Sequence, residues 1–208
     1  MKKQIVVICC IFFTGYGYAQ DIQTPKKIFD VSISLEGFGG DYVTNSMGVQ
    51  AGVDFRINKQ TSMQCDARYI FDVPSLKGYY VNNVDNLQGL AVGNEIKFYA
   101  WKFRDELQGG YYGSKLIFMY TEASRSEYTV KRGKVGAYGI LGWKYIDKSG
   151  FLFEASGGVG IQLISSYSSG KNYPREYQST EFPWSKKYDS GTSLLPDITA
   201  NIRIGWRF

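Results

Sequence analysis

The chain has 208 residues, a formal net charge of +5 at pH 7 and no histidine. Without histidine, catalysis by Ser-His-Asp, Asp-His or Cys-His groups is excluded, and the commonest metal ligand is missing. A charge this small does not indicate a nucleic-acid partner. We therefore expect no enzyme, no bound metal and no other cofactor.

The amino-terminal residues have the order of a secretory signal peptide. Lys2–Lys3 precede the apolar run Ile5–Phe13, which is too short to span a bilayer as a helix. Gly17–Ala19 then supplies small residues at both key positions of a cleavage site. We predict a cleaved signal peptide over residues 1–19 and an exported barrel domain over residues 20–208.

Eight later segments alternate apolar and polar residues with a period of two, which is the pattern of strands with one apolar face. The first, for example, puts Phe29, Val31 and Ile33 on one face and Asp30, Ser32 and Ser34 on the other. In chain order the predicted strands cover residues 29–36, 47–56, 62–71, 89–98, about 110–121, 135–145, 151–162 and 198–208.

The connections between these strands alternate in length. The sequence predicts tight turns at 58–60 and 147–150 and an intermediate connection at 101–108. Long loops are predicted at residues 37–46, 72–86, 122–133 and 165–195. With both chain ends on the periplasmic side, all long loops fall on the outer side, which is the asymmetry of bacterial barrels.

The last predicted strand is the strongest indication of a membrane barrel. Ile202, Ile204 and Trp206 share one face with Phe208, and Arg203 lies on the other. An apolar edge strand of this kind aggregates in water, whereas barrel closure removes the edge and lipid covers its apolar face. We predict an all-β, eight-stranded antiparallel up-and-down transmembrane barrel in the bacterial outer membrane. Its expected partners are outer-membrane lipid and lipopolysaccharide, and the barrel assembly machinery through the strand ending at Phe208.

The polar faces of the strands carry both acids and bases. Eight strands leave an interior just wide enough to be filled by side chains, and buried charges must be paired. We therefore predict an interior ion-pair network rather than a conduit. Its predicted members are Glu36, Asp54, Arg56, Asp66, Arg68, Glu95, Lys97, Lys144, Glu154, Arg203 and Arg207, with Lys115 and Asp197 on the same face. A catalytic pair of Asp54 and Glu154 is the alternative for this face.

Aromatic and basic residues are interspersed in the longest predicted loop. They are candidates for binding a surface partner, a glycan or lipopolysaccharide phosphates. The alternative is that they cover the barrel mouth or lie at the lipid interface. The candidate binding residues are Tyr173, Arg175, Tyr177, Trp184, Lys186 and Lys187.

Three segments resemble the small outer-membrane barrel proteins of unknown function that are common in Bacteroidetes. They are Val135–Tyr145, Phe151–Gly160 and Pro196–Phe208, with a glycine-rich strand, a Phe-x-Glu start and an Ile-Gly-x-x-Phe end. The resemblance implies an outer-membrane barrel and carries no known active site. Gly205 departs from the commoner carboxy-terminal assembly signal, which places its glycine two strand positions further from the end.

These observations favour a non-enzymatic outer-membrane barrel that presents surface loops for adhesion, partner contact or envelope integrity. The first alternative is a narrow pore or a carrier for small apolar molecules, which needs an open lumen or a lateral gap. The second alternative is a soluble secreted barrel with its apolar face inside, as in lipocalins. Only Cys65 remains in the predicted mature chain, so no intramolecular disulfide is possible.

Overall fold

A computed structural model describes residues 29–36, 46–72, 85–102, 107–125, 128–170 and 191–208. Eight strands follow one another along the chain and form a closed antiparallel barrel, which confirms the predicted fold. None of the described segments forms a helix with the length and hydropathy that a membrane crossing requires. The strands are β1 Phe29–Glu36, β2 Ser46–Arg56, β3 Thr61–Asp72, β4 Asp85–Lys102, β5 Gly109–Arg125, β6 Tyr128–Ile146, β7 Phe151–Gly170 and β8 Gly191–Arg207.

The barrel closes through antiparallel pairing of β1 with β8, in which Ile33 lies opposite Ile204. The backbone N–H of Phe208 also donates a hydrogen bond to the Phe29 carbonyl oxygen at 3.0 Å. Every strand therefore has two neighbours, and no strand presents an unpaired edge. We call the end with the connections 57–60 and 147–150 the turn end, and the opposite end the loop end.

The alternation seen in the sequence becomes an apolar outside and a polar inside. On β8, Ile198 and Ile202 are exposed on the outer surface, whereas Asp197 and Arg203 are buried inside. Because successive side chains of a strand point to opposite sides of the sheet, one alternating pattern produces both surfaces.

Two predicted loops are shorter than the sequence pattern indicates. β5 continues to Arg125 and β6 begins at Tyr128, so most of the predicted loop 122–133 is paired strand. Residues 165–170 and 191–195, assigned to the longest loop, also belong to β7 and β8. The apolar alternation ends where the strands extend past the apolar outer surface of the barrel. Backbone pairing continues beyond that point, because polar side chains can face water on both sides of the sheet. Glu122 and Lys131 pair there at 3.6 Å with both side chains partly exposed.

The turn between β6 and β7 is fixed by the Asp147 carboxylate, which accepts hydrogen bonds from the Ser149 hydroxyl at 2.6 Å and from the Phe151 N–H at 2.9 Å. These bonds, first that of Ser149, hold the pKa of Asp147 below its usual value. Gly150 has a φ of +89°, in the left-handed region that glycine adopts without strain. This turn lies where the sequence predicts it.

Gly205 permits the close approach of β8 to β1 at the closing seam. A Cβ at this position would lie 2.0 Å from the Val31 carbonyl oxygen and 2.8 Å from the Ser32 Cα, so the backbone would have to shift. We expect Gly205→Ala to lower the free energy of unfolding by about 1–3 kcal/mol, as overpacking does. Urea unfolding in detergent, followed by heat-modifiable gel mobility, measures this change.

Gly157→Ala is the matched control, because the nearest atom to its Cβ would be the Thr199 carbonyl oxygen at 3.7 Å. Equal stabilities of the two alanine variants would show that the seam accommodates a methyl group, contrary to the expectation for Gly205.

Candidate functional site

Eight charged side chains occupy the turn-end half of the barrel interior, and we call them the turn-side network. They come from six strands, and every one of the eight takes part in an ion pair. The members are Asp30, Asp54, Glu95, Lys97, Lys144, Glu154, Arg203 and Arg207.

Lys97 is the central cation of this network. Its Nζ lies 3.1 Å from Asp54 Oδ2 and 2.8 Å from Glu154 Oε2, and it donates a further hydrogen bond to Gln64 Oε1 at 2.6 Å. The ammonium also lies 5.2 Å from the centre of the Tyr111 ring. Three hydrogen bonds and an aromatic face thus replace the water that this fully buried ammonium has lost.

Lys144 and Arg207 extend the network to the turn end. Lys144 Nζ lies 2.7 Å from Asp54 Oδ2 and 2.5 Å from Asp30 Oδ2. Arg207 binds the same Asp30 carboxylate with two nitrogens, Nε at 2.7 Å and Nη2 at 3.1 Å. The bidentate geometry fixes Asp30 between two cations and links β8 to β1 beside the closing seam.

Arg203 connects the two glutamates. Its Nη2 donates to Glu95 Oε2 at 3.0 Å, and its Nη1 donates to Glu154 Oε1. The Tyr111 hydroxyl also donates to Glu154 Oε1, at 2.9 Å. Glu154 is therefore bonded to Lys97, Arg203 and Tyr111.

The turn-side network is electrically balanced, since four carboxylates face four cations. Buried charges are tolerated when they are paired and hydrogen-bonded, and removing one partner leaves an uncompensated charge. This half of the lumen is thus filled by mutually dependent side chains.

Among the described residues, two ion pairs separate from the turn-side network lie in the loop-end half of the interior. Lys134 Nζ lies 2.9 Å from Asp197 Oδ2, which also accepts a hydrogen bond from the Tyr138 hydroxyl. Lys115 Nζ lies 3.9 Å from Asp66 Oδ2, a longer contact. Two arginines in this half bond to neutral side chains: Arg68 to Gln50 at 3.5 Å and Arg132 to Ser166 at 3.1 Å.

The interior also contains buried apolar side chains in addition to the predicted ion-pair network. They are inward residues of β3 to β6 that form one contact cluster with the tyrosines. The alternation of the sequence places them on the same face as the interior charges. The cluster includes Ile70, Leu87, Ala91, Ile117, Met119, Ala123 and Ile140.

On the opposite wall, β1, β2 and β8 present small polar side chains to the middle of the lumen. Within the described part of the chain, Ser34 Oγ, Gln50 Nε2 and Asn201 Oδ1 are buried and have no protein hydrogen-bond partner. Buried polar atoms of this kind are the ones that ordered water satisfies. At these positions the mid-lumen is therefore lined by uncharged polar groups whose hydrogen-bonding capacity is not fully used by protein atoms.

Most of the predicted interior residues lie inside, but two do not belong to the described network. Arg56 is only partly buried, and its Nε donates to the backbone oxygen of Asn58 at the turn end. Glu36 is in β1, but its side chain lies outside the described residues, as do all six candidate loop-binding residues. The prediction for those loop residues stays a prediction.

The alternative of a catalytic pair of Asp54 and Glu154 does not suit the observed geometry. Lys97 Nζ is bonded to both carboxylates and favours the charged form of each. A general acid and base pair instead needs one carboxyl to hold a proton. Within the described ranges, no three acidic, cysteine or histidine side chains come together as a metal site.

The list of predicted interior residues does not contain four side chains that form interior ion pairs or hydrogen bonds, namely Asp30, Tyr111, Lys134 and Tyr138. Asp30 and Tyr138 have the correct strand parity, but Asp30 was left out of the interior charges and Tyr138 carries no charge. Tyr111 is next to the outward Tyr112 and therefore faces inward, but like Tyr138 it carries no charge. Lys134 directly follows the predicted loop 122–133 and lies outside the strand predicted for residues 135–145. Lys134 is ten positions before Lys144, so the two lysines lie on the same face of β6. A predicted strand that began before residue 134 would therefore have placed Lys134 in the interior.

The outer surface is an apolar belt with aromatic rings at its ends. At the turn end, Phe98 stacks on Tyr112 with ring centres 5.6 Å apart, and Trp143 stacks on Tyr145 at 5.9 Å. At the loop end, Tyr69 stacks on Phe71 at 6.3 Å. Between these rows the exposed side chains are mainly aliphatic.

A surface hollow with a volume of about 460 Å³ interrupts this belt between β6 and β8. Small residues such as Gly157 and Ala200 form its floor, and Trp143 forms part of its rim. The pairing of β6 with β7 and of β7 with β8 is continuous across it. The hollow is thus a surface depression and not a lateral opening into the lumen.

A closed eight-stranded barrel with an exposed apolar belt, aromatic rings at its ends and ion pairs inside defines the class of transmembrane β-barrels. No protein-family model matches the sequence, and no curated protein matches it. Among solved structures, the chain is similar to Neisserial surface protein A (NspA), with 10% identity over 87% of this chain and 94% of that chain and a TM-score of 0.44. Because this TM-score is low, the assignment to the class stands on the strand order and registers described above.

Proposed function

We propose that the protein is a non-enzymatic barrel of the bacterial outer membrane that anchors surface loops for adhesion, partner contact or envelope integrity. The observation that carries the proposal is the inverted arrangement of side chains, with an aliphatic belt outside and a balanced network of buried ion pairs inside. Such a barrel needs lipid around it and closes its own lumen. What remains available for function is then the surface of its connections.

Strand length gives further support to this proposal. A strand crosses a bilayer with about 9–11 residues, whereas β6 has 19 and β7 has 20. The additional residues extend β5, β6 and β7 beyond the loop-end aromatic residues and form a raised wall. A wall of this kind is suited to hold residues 171–190 away from the membrane surface.

Leu141→Arg tests the membrane assignment. Leu141 is 66% exposed on the outer belt, four residues from Tyr145. In a bilayer the arginine is expected to destabilise the barrel by about 2–4 kcal/mol. In a soluble barrel an exposed substitution of this kind has almost no effect. Unfolding in lipid vesicles and recovery of the chain in the outer-membrane fraction measure the result.

Thr129→Arg is the matched control, because Thr129 is on the same strand and the same face but lies in the raised wall. Equal stability of the two arginine variants, or recovery of the folded protein in the periplasm without detergent, would overturn the membrane assignment.

Replacement of residues 171–190 by a short Gly-Ser linker tests the role of the loops. We expect folding and insertion to be unchanged, and a surface-binding or envelope-robustness phenotype to be lost. Retention of every such phenotype by the shortened protein would contradict a surface function of this loop. The resemblance to Bacteroidetes barrels stays a prediction.

A narrow pore is the second candidate function. The mid-lumen lining of Ser34, Gln50 and Asn201, which is small, polar and incompletely bonded, favours it. The turn-side network opposes it, because its buried side chains fill that half of the lumen. Bilayer conductance distinguishes the two functions.

A further inference from the structure

We propose that two copies of this chain associate side by side in the membrane through the outer surface of β2 to β5, with Asn94 near the centre of the contact. The proposal rests on the membrane location argued above. We call this surface the Asn94 face, and it comprises the outward residues Ala51, Val53, Cys65, Ala67, Val92, Asn94 and Leu116.

Asn94 lies in the middle of the apolar belt. It is four residues from Phe98 at the turn end and four from Leu90, which pairs with Tyr69 and Tyr120 at the loop end. Its outward neighbours along β4 are Val92 and Ile96. In the described strands, Asn94 is the only outward carboxamide between the two aromatic rows.

The hydrogen-bonding capacity of Asn94 is poorly met within one barrel. Its Nδ2 donates to Cys65 Sγ at 3.4 Å across the β3–β4 pair. A thiol sulfur is a weak acceptor, and a carboxamide also has a second N–H and a carbonyl oxygen. Hydrocarbon chains supply neither donors nor acceptors, so a polar group at this depth favours a polar partner.

A second copy of the chain supplies this partner at the correct depth. All copies insert in the same direction, so a two-fold axis along the membrane normal keeps each residue at its own depth. Asn94 of one copy then meets Asn94 of the other, and two carboxamides form reciprocal hydrogen bonds. On the β2 and β3 side of Asn94 the outward side chains include the small residues Cys65, Ala67 and Ala51, which allows two barrel walls to approach closely there. On the β5 side, Leu116 lies opposite Asn94.

Cys65 is a natural reporter of this contact, because it lies opposite Asn94 in the register of β3 and β4. Oxidation with copper phenanthroline in isolated outer membranes is expected to give a disulfide-linked dimer of the mature chain. Cys65→Ser should abolish that band. Heat-modifiable mobility of the same sample shows that the barrel is folded.

Asn94→Val removes the carboxamide and keeps Cys65. We expect the cross-linked fraction to fall by about tenfold, with no loss of barrel stability. Ile202→Cys in the Cys65→Ser background is the surface control. Ile202 is 59% exposed on β8, four residues from Trp206, so it has a similar depth on another side of the barrel. This variant should not cross-link.

Equal cross-linking of wild type and Asn94→Val, or of the Ile202→Cys control, would show random collision and overturn the proposal. A cross-link to a chain of another mass would replace self-association by a different partner. Folded protein in the membrane that gives no cross-linked dimer would refute the dimer and leave the proposed function unaffected. Absence of the protein from the membrane would refute the proposed function as well.

Discussion

Glu154→Gln is expected to lower the free energy of unfolding by about 3–5 kcal/mol, the cost of breaking a buried ion pair from one side. Glu154 is bonded to Lys97 Nζ and to Arg203, and both cations are fully buried. A neutral amide leaves the turn-side network with four cations and three carboxylates. Denaturant unfolding of the refolded protein in detergent, monitored by heat-modifiable mobility, measures the loss.

The double variant Lys97→Met and Glu154→Gln separates charge balance from packing. It removes one charge of each sign and leaves the pair of Asp54 with Lys144 and the pair of Glu95 with Arg203. We expect the double variant to be more stable than Glu154→Gln alone, because no cation remains uncompensated. A double variant less stable than the single one would indicate that packing, and not charge balance, determines the role of Glu154.

Wild-type protein in a planar bilayer is expected to give no stable conductance steps, because the turn-side network fills one half of the lumen. Truncation of its centre by Lys97→Ala with Glu154→Ala should produce ohmic steps. These two substitutions preserve charge balance and remove the side chains that meet at the middle of the network. The polar mid-lumen beside Gln50 and Asn201 then continues the path.

Heat-modifiable mobility must show that the double alanine variant is folded before its conductance is compared with wild type. Ohmic steps from the wild-type barrel would overturn the filled-lumen interpretation and make the narrow pore the leading function. A silent but folded double variant would assign closure to the apolar cluster around Ile117 and Met119 instead of the turn-side network.

The two faces of the barrel wall could be predicted from the sequence because strand periodicity is local. The position of a residue within the alternation decides whether it faces outward, and this needs no knowledge of its neighbours in space. Thus Ile202 and Ile204 were placed outside, and Arg203 inside, from the sequence alone. The tight turn at Asp147–Gly150 is equally local, since Asp and Gly favour turns by their own chemistry.

The ends of the strands were less predictable. Apolar alternation shows only where a strand contacts an apolar phase, whereas backbone pairing between strands extends beyond that region. Residues 122–125 and 128–133 carry charges of both signs and were assigned to a loop. In the structure Glu122 lies opposite Lys131 in a continuous ladder. The same extension moves Lys134 from a loop border into the interior, where it pairs with Asp197.

The sequence by itself determined the fold class, the number of strands and the side of the wall on which most of the described charges in the predicted strands lie. Only the tertiary structure decided which charges meet. Lys97 and Glu154 are 57 positions apart, and Arg207 and Asp30 are 177 positions apart. Such pairs depend on the register of every strand between them and on the closure of the barrel. These are properties of the whole backbone, and no local pattern of residues encodes them.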